Sequence, residues 1–389
     1  MKNIEGQINI DYFPFKKNGE VVTIKSNRPV HLSQLFEGKT IDEVLETIPL
    51  IFNVCGIAQS RTSIRAIENI MQKNILSSVD IARDILVLFE NAREHLLRVF
   101  LDWPGLFDLQ TVPAPLPMIS QITEKARHHL FKQGKAFSLS SKLNDNLREI
   151  TELASTLNMC LTNYLFTIPS QQWLEISSLE SLVNWFDSTD TIAAKTIQNI
   201  FKNEWCSQGY SNTQPLPVLK DNELIQRFTD APYEKFIAQP DWNNQCFETT
   251  ALSRQIKQPL IKLLYRYYQN GLITRWIARL VELASIPQQI NQLVEKLNTV
   301  EYQIPCATDA GIAKVETARG RLIHYVQLDN NLINQYQILA PTEWNFHPEG
   351  LLNQSLQNIT VNNIENITQV THLIINSIDP CVGYQLRVH

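Results

Sequence analysis

Two cysteines near opposite ends of the chain carry the clearest chemical signal. Cys55 stands in "FNVCGIAQS" and Cys381 in "SIDPCVGYQLRVH". Each stretch looks like a thiolate metal motif whose second cysteine, three positions on, is missing: Ala58 and Tyr384 occupy those places. Alanine has no donor atom, and a phenol with a reference pKa of about 10 is a poor ligand for a soft metal. The other cysteines, Cys160, Cys206, Cys246 and Cys306, are spaced too widely and irregularly for a disulfide scaffold or a zinc ribbon. In a reducing compartment each is expected to act as a small buried hydrophobe. His95, and the adjacent pair His128 and His129, are expected to be helix-surface or interhelical polar groups, because neighbouring helical residues point in different directions.

Composition narrows the classes of function. The chain has 389 residues, 44% of them hydrophobic and 19% charged, with a net charge of −5. Length alone allows about two or three domains. No concentrated basic face exists to meet nucleic acid or an anionic membrane. The opening "MKNIEGQINIDYF" lacks the apolar centre of a signal peptide, and no apolar run approaches the roughly 18 residues that span a bilayer. A cytoplasmic location without membrane insertion is therefore expected.

The elements that must position the two sulfurs follow from patterning. Residues 1–27 read as a β-hairpin around Asn18-Gly19. Thr40 and Glu43 form a capping-box pattern ahead of Ile41, Val44, Leu45 and Ile48, so a helix delivers the chain to Cys55. A second helix is expected from about Ala58, with Ile64, Ile67 and Met71 on one side. A long bundle helix is expected over Val79–Leu101, stopped by Asp102-Trp103-Pro104. Further helices are expected at about 119–133, 142–166, 178–203, 256–271 and 274–299, broken by the linkers "DWPGLFDLQTVPAPLP" and "SQGYSNTQPLPVL". After Cys306 the segments "GIAKVETA", "RLIHYVQLD" and "LINQYQIL" alternate as an antiparallel meander, and a last helix at about 363–376 leads into Cys381.

The blocks "IEGQINI", "NVCGIAQ", "ETTALSR", "VETARGRLIHY", "PTEWNFHP" and "DPCVGY", in this order, resemble the large subunit of nickel–iron hydrogenases across nearly the whole chain. The resemblance implies an α+β, mainly α, fold in one domain over residues 1–389. A hairpin at 1–27, a helical body at about 40–300, and a meander with the terminal motif at about 307–389 would compose it. In that family two CxxC pairs hold a nickel–iron centre, and the second cysteine of each pair bridges the metals. Cys55 and Cys381 match the first members, while Ala58 and Tyr384 stand at both bridging positions. A binuclear centre, and hydrogen turnover with it, is not expected.

The pattern also resembles the hydrogenase expression/formation branch of the HupK or HoxV type. That branch implies a non-catalytic maturation scaffold whose two thiolates transiently hold iron carrying cyanide and carbon monoxide, without nickel. Its implied partners are a HypC-type chaperone, a HypD-type protein and the hydrogenase large-subunit precursor. Arg319 matches the family arginine that faces a cyanide ligand, although Ala318 replaces the family's proline before it. Glu5 matches a proton-relay glutamate and Asp379 would orient Arg319 or cap the preceding helix. Tyr384 would close the cavity or meet the chaperone, and His389 matches the residue after which enzyme precursors are cleaved. The rival readings are a divergent, active hydrogenase subunit and a structural subunit of the same fold without metal.

Overall fold

A computed structural model describes residues 6–29, 32–52, 54–72, 74–297, 303–304 and 311–389. The expected sites Glu5 and Cys306 lie outside the described residues.

The chain ends meet in one sheet. Strand β1 (Ile8–Tyr12) pairs antiparallel with β2 (Val22–Ser26) across the Asn18-Gly19 turn. Ile8, Ile10 and Tyr12 alternate inward, as a half-buried strand requires. Helix α1 (Ile41–Ile51) opens with the expected capping box: the Thr40 amide donates to Glu43 at 2.8 Å and the Glu43 amide donates to the Thr40 hydroxyl at 3.3 Å. Helix α2 (Gly56–Ile70) begins directly after Cys55. Ile64 and Ile67 are buried on it, but Met71 lies past its last turn and is exposed.

Helix α3 (Ser77–Leu97) does not stop at Asp102-Trp103-Pro104. It passes into a π turn at Arg98–Asp102 and then a further helical turn at Trp103–Leu106. Proline lacks only an N–H that a first turn leaves unbonded anyway, so Pro104 starts that turn instead of ending the helix. Helix α4 (Leu116–Leu130) lies slightly earlier than expected. Helix α5 (Arg148–Leu161) begins six residues later than its apolar pattern suggests, because the preceding chain folds back and Leu143 bridges Phe131. The helix expected over 178–203 is two, α6 (Leu179–Ser188) and α7 (Ile192–Lys202), separated where the Thr191 hydroxyl caps the second.

Helix α8 (Pro259–Tyr268) leads to α9 (Leu272–Leu297), which runs through the middle of the body and is buried over almost every residue from Leu272 to Ala284. Its buried charges are all paired: Arg275 with Glu248 at 3.1 Å, Glu282 with Arg254 at 2.8 Å, and Arg279 with Asp379 at 3.7 Å. Strands β3 (Gly311–Thr317), β4 (Gly320–Asp329) and β5 (Leu332–Leu339) form the expected antiparallel meander, and α2 packs on it. A short helix at Pro341–Asn345 follows, then α10 (Ile364–Ile378). Finally β6 (Tyr384–Val388) pairs parallel with β1, in register from Ile8–Tyr384 to Tyr12–Val388. Among the described residues no helix is long and apolar enough to cross a membrane.

Candidate metal-fragment site

Cys55 and Cys381 line one cavity of about 90 Å³, together with Arg319, Arg28, Gln59 and Glu343. A water needs roughly 10–15 Å³, so the space admits a metal ion with a few diatomic ligands. Among the described residues no group of three or more His, Cys, Asp or Glu side chains could hold a metal ion. Two sulfurs are thus what the site offers.

Cys55 occupies the N-cap position of α2, where the helix dipole favours negative charge. Burial works against it, and with the nearby Cys381 sulfur and Glu90 it pushes the Cys55 thiol up to about 12. Without metal this thiol keeps its proton at neutral pH, and a binding metal would have to displace it. Glu90 of α3 accepts the amides of Ile57 and Ala58 at 2.8 and 2.9 Å, so a carboxylate from the neighbouring helix satisfies the first turn of α2. Burial raises the Glu90 carboxyl to about 7 against the lowering effect of those two amides. Arg93, also on α3, donates to the Val54 carbonyl at 3.0 Å and ties the segment before Cys55 to the same helix.

Cys381 is placed by a helix stop. Asp379 is the C-cap of α10, in the left-handed conformation at φ 66°, and Pro380 prevents the helix from continuing. The Thr342 hydroxyl donates to Cys381 Sγ at 3.1 Å and accepts the Cys381 amide at 3.5 Å. Three guanidiniums surround the buried Asp379: Arg98 at 2.8 Å, Arg319 at 3.6 Å and Arg279 at 3.7 Å. Burial alone would raise its pKa, but the three cations hold it at about 2. Asp379 thus stands at the C-cap of α10 and 3.6 Å from Arg319, and the π turn of α3 is what brings Arg98 to it.

Arg319 sits in the two-residue turn between β3 and β4. Gly320 closes that turn at φ 129°, and a Cβ there would lie 1.7 Å from the Thr249 carbonyl oxygen, so only glycine fits. Both terminal nitrogens of Arg319 donate to Glu94 at 3.1 Å. Its Nε is buried with no acceptor within hydrogen-bond distance and faces Asp379 Oδ1 at 3.6 Å. Burial opposes the charge, yet Asp379, Glu94 and the two sulfurs raise the guanidinium pKa further.

The remaining expected residues lie elsewhere. Tyr384 is not on the cavity wall: its hydroxyl meets His372 Nδ1 at 2.8 Å and Asn376 at 3.4 Å, because β6 turns it toward α10. It does not close the cavity. Ala58 is fully buried and packs with Leu322 and Ala340. His389 is not on the cavity wall and is not frayed. Its amide donates to the Tyr12 carbonyl at 2.9 Å, its ring stacks on Phe13 at 4.2 Å, and Nε2 meets Asp11 at 3.0 Å.

Cys160 and Cys206 are buried as expected, while Cys246 is half-buried with its sulfur 3.2 Å from His347 Nδ1. His95 is interhelical, 3.2 Å from Glu282, and His128 and His129 pair with Glu124 and Glu149.

The comparisons with known proteins come down on the same architecture. The family model described as nickel-dependent hydrogenase matches residues 260–386. The hydrogenase expression/formation protein HupV of Azotobacter chroococcum mcd 1 is 24% identical over 94% of both chains. HoxV, a protein of the same description from Cupriavidus necator, is 24% identical over 95% of this chain and 93% of its own. The solved Ni-Fe-Se hydrogenase from D. vulgaris Hildenborough superposes with a TM-score of 0.65 over 94% of each chain at 15% identity, a likeness that carries the fold alone.

Residues 260–386 thus carry the nickel-dependent hydrogenase match, and the likeness to hydrogenase expression/formation proteins runs over nearly the whole chain. Around the two sulfurs, sequence reading missed Arg28, Glu90, Glu94, Arg98, Thr342 and Glu343. Arg28 donates to Glu343 at 2.6 Å and interacts electrostatically with both sulfurs. Thr342 and Glu343 lie inside the quoted "PTEWN" block and had a signal. Glu90 and Glu94 stand four apart on α3, a spacing that puts both on one helical face.

Proposed function

We propose that this chain is a non-catalytic scaffold in nickel–iron hydrogenase maturation. Cys55 and Cys381 transiently bind iron carrying cyanide and carbon monoxide, which then passes to the hydrogenase large subunit. The observation that carries this reading is a single cavity with two sulfurs on its wall, whose two bridging positions hold groups turned to other tasks. Ala58 fills an apolar cluster and Tyr384 bonds to His372. Two thiolates can grip one soft metal fragment, whereas a stable nickel–iron pair needs sulfur lone pairs shared between two ions. The Arg319 guanidinium on the cavity wall supplies positive charge suited to an anionic diatomic ligand. The expression/formation names of relatives that match this chain over nearly its whole length support the maturation role.

HypC-type and HypD-type proteins and the large-subunit precursor are the partners this role requires, acting in the cytoplasm. The test is infrared spectroscopy on protein purified anaerobically after co-production with the maturation proteins. Cyanide and carbonyl stretches are expected in the wild type and should vanish in Cys55→Ser and in Cys381→Ser. Bands unaffected by both substitutions, or no bands at all, would overturn the reading.

A further inference from the structure

Behind Cys55 lies a hydrogen-bonded chain of Gln59, His324 and Tyr336. His324 of β4 is wholly buried, and both ring nitrogens are engaged. Nδ1 lies 2.8 Å from the Tyr336 hydroxyl and Nε2 lies 2.8 Å from Gln59 Oε1. Burial keeps the imidazole neutral, with its pKa near 3. One nitrogen therefore carries hydrogen and the other accepts. An amide oxygen can only accept, so Nε2 donates to Gln59 and the Tyr336 hydroxyl donates to Nδ1. With Oε1 held, the amide plane of Gln59 is fixed and its –NH2 is presented to Cys55, Nε2 to Sγ 3.8 Å. The opposite amide orientation would offer the sulfur an acceptor, which suits a thiol and repels a thiolate.

We propose that His324 is a positioning residue for Cys55: by fixing the Gln59 amide it supplies an N–H donor to the sulfur in its metal-bound, thiolate form. The proposal rests on the reading of Cys55 as a ligand of the iron fragment. Groups behind the ligand shell set both its orientation and its donor strength. A thiolate that accepts a hydrogen bond gives less electron density to iron. Thr342 treats Cys381 in the same way, at 3.1 Å. Among the described residues each sulfur thus has one donor, an arrangement suited to cargo that must be released.

Two readouts test this on the full chain. In protein co-produced with the maturation proteins, Gln59→Leu should move the carbonyl stretch to lower wavenumber, since a more electron-rich iron donates more into the ligand. His324→Phe, which does not touch the cargo, should reproduce most of that shift, and the double variant should add little. His324→Gln, which can still donate to Oε1, should restore the wild-type band. In the metal-free protein, iodoacetamide labelling of Cys55, followed by peptide mass spectrometry against Cys381, should slow several-fold in Gln59→Leu and His324→Phe and recover in His324→Gln. His324 variants that lower only the melting temperature, with the band and labelling rate at wild-type values, would overturn the proposal. If the wild type shows no cyanide or carbonyl bands, the scaffold reading fails, and the labelling pattern alone decides whether His324 positions the amide. Should His324→Phe fail to fold, Gln59→Leu with His324→Gln still decides: an unshifted band and unchanged labelling in Gln59→Leu refute the donor.

Discussion

The two walls of the cavity hold their sulfurs in different ways. On the Cys55 wall the neighbours are a neutral amide, Gln59, and the buried Glu90, whose carboxyl is raised to about 7. On the Cys381 wall they are a hydroxyl, Thr342, and a buried aspartate gripped by three arginines. The missing second sulfurs differ as well. Ala58 is absorbed into packing, whereas Tyr384 is redirected to a helix behind the strand. One wall is tuned by desolvation and the other by ionic contacts. Losing a bridging cysteine therefore does not require collapse of the wall, because each vacated position has its own local partner.

The largest effect should come from the ionic wall. Asp379→Asn keeps the shape and tolerates the left-handed cap but leaves buried guanidiniums without their shared anion. Breaking a buried pair this way costs about 3–5 kcal/mol, to be read from urea unfolding at neutral pH. A loss below about 1 kcal/mol would mean that Glu94 and Asp102 suffice for the arginines.

The desolvated wall should answer to pH instead. Glu90 has a folded-state pKa raised from 4.5 to about 7, so the folded chain binds the extra proton between those values. Its contribution is fully present below pH 4.5 and is lost as the pH rises through 7. Relative to Glu90→Gln, the wild type should lose about 2.5 kcal/mol of stability between pH 5 and pH 8. Parallel stability curves would remove the distinction between the walls.

A smaller effect is expected at the packed position. Ala58→Cys adds a sulfur to a fully buried cluster with Leu322 and Ala340, at about 1–3 kcal/mol for overpacking. Equilibrium unfolding would check it, and an unchanged or raised stability would show that the position has room for the lost thiolate.

Local patterns carried much of this fold into the sequence. The Asn18-Gly19 hairpin, the Thr40–Glu43 capping box and the alternating meander all follow rules that act over a few residues. The parallel pairing of β6 with β1 does not, because nothing local in "YQLRV" specifies a partner at the other end of the chain. Arg319 and Asp379 stood in recognisable motifs, and the cap position of Asp379, one of two alternatives expected for it, follows from its place after an apolar helix. Glu90, Glu94, Arg98 and Arg279 were not, since charged residues on helices ordinarily read as solvated faces. Here tertiary packing buries Glu90, Glu94 and Arg279, half-buries Arg98, and gives each a hydrogen-bond or ionic partner. The split between α6 and α7 was hidden for a related reason: the cap at Thr191 is a single hydroxyl within an otherwise helical run.

The central claim is a count of donor atoms, and X-ray absorption at the iron edge measures it directly on the anaerobically purified protein. Two sulfur neighbours per iron are predicted in the wild type, with loss of one or of the iron itself in Cys55→Ser and in Cys381→Ser. Iron with four sulfur neighbours, iron with none, or sulfur-bound nickel in stoichiometric amount would contradict it.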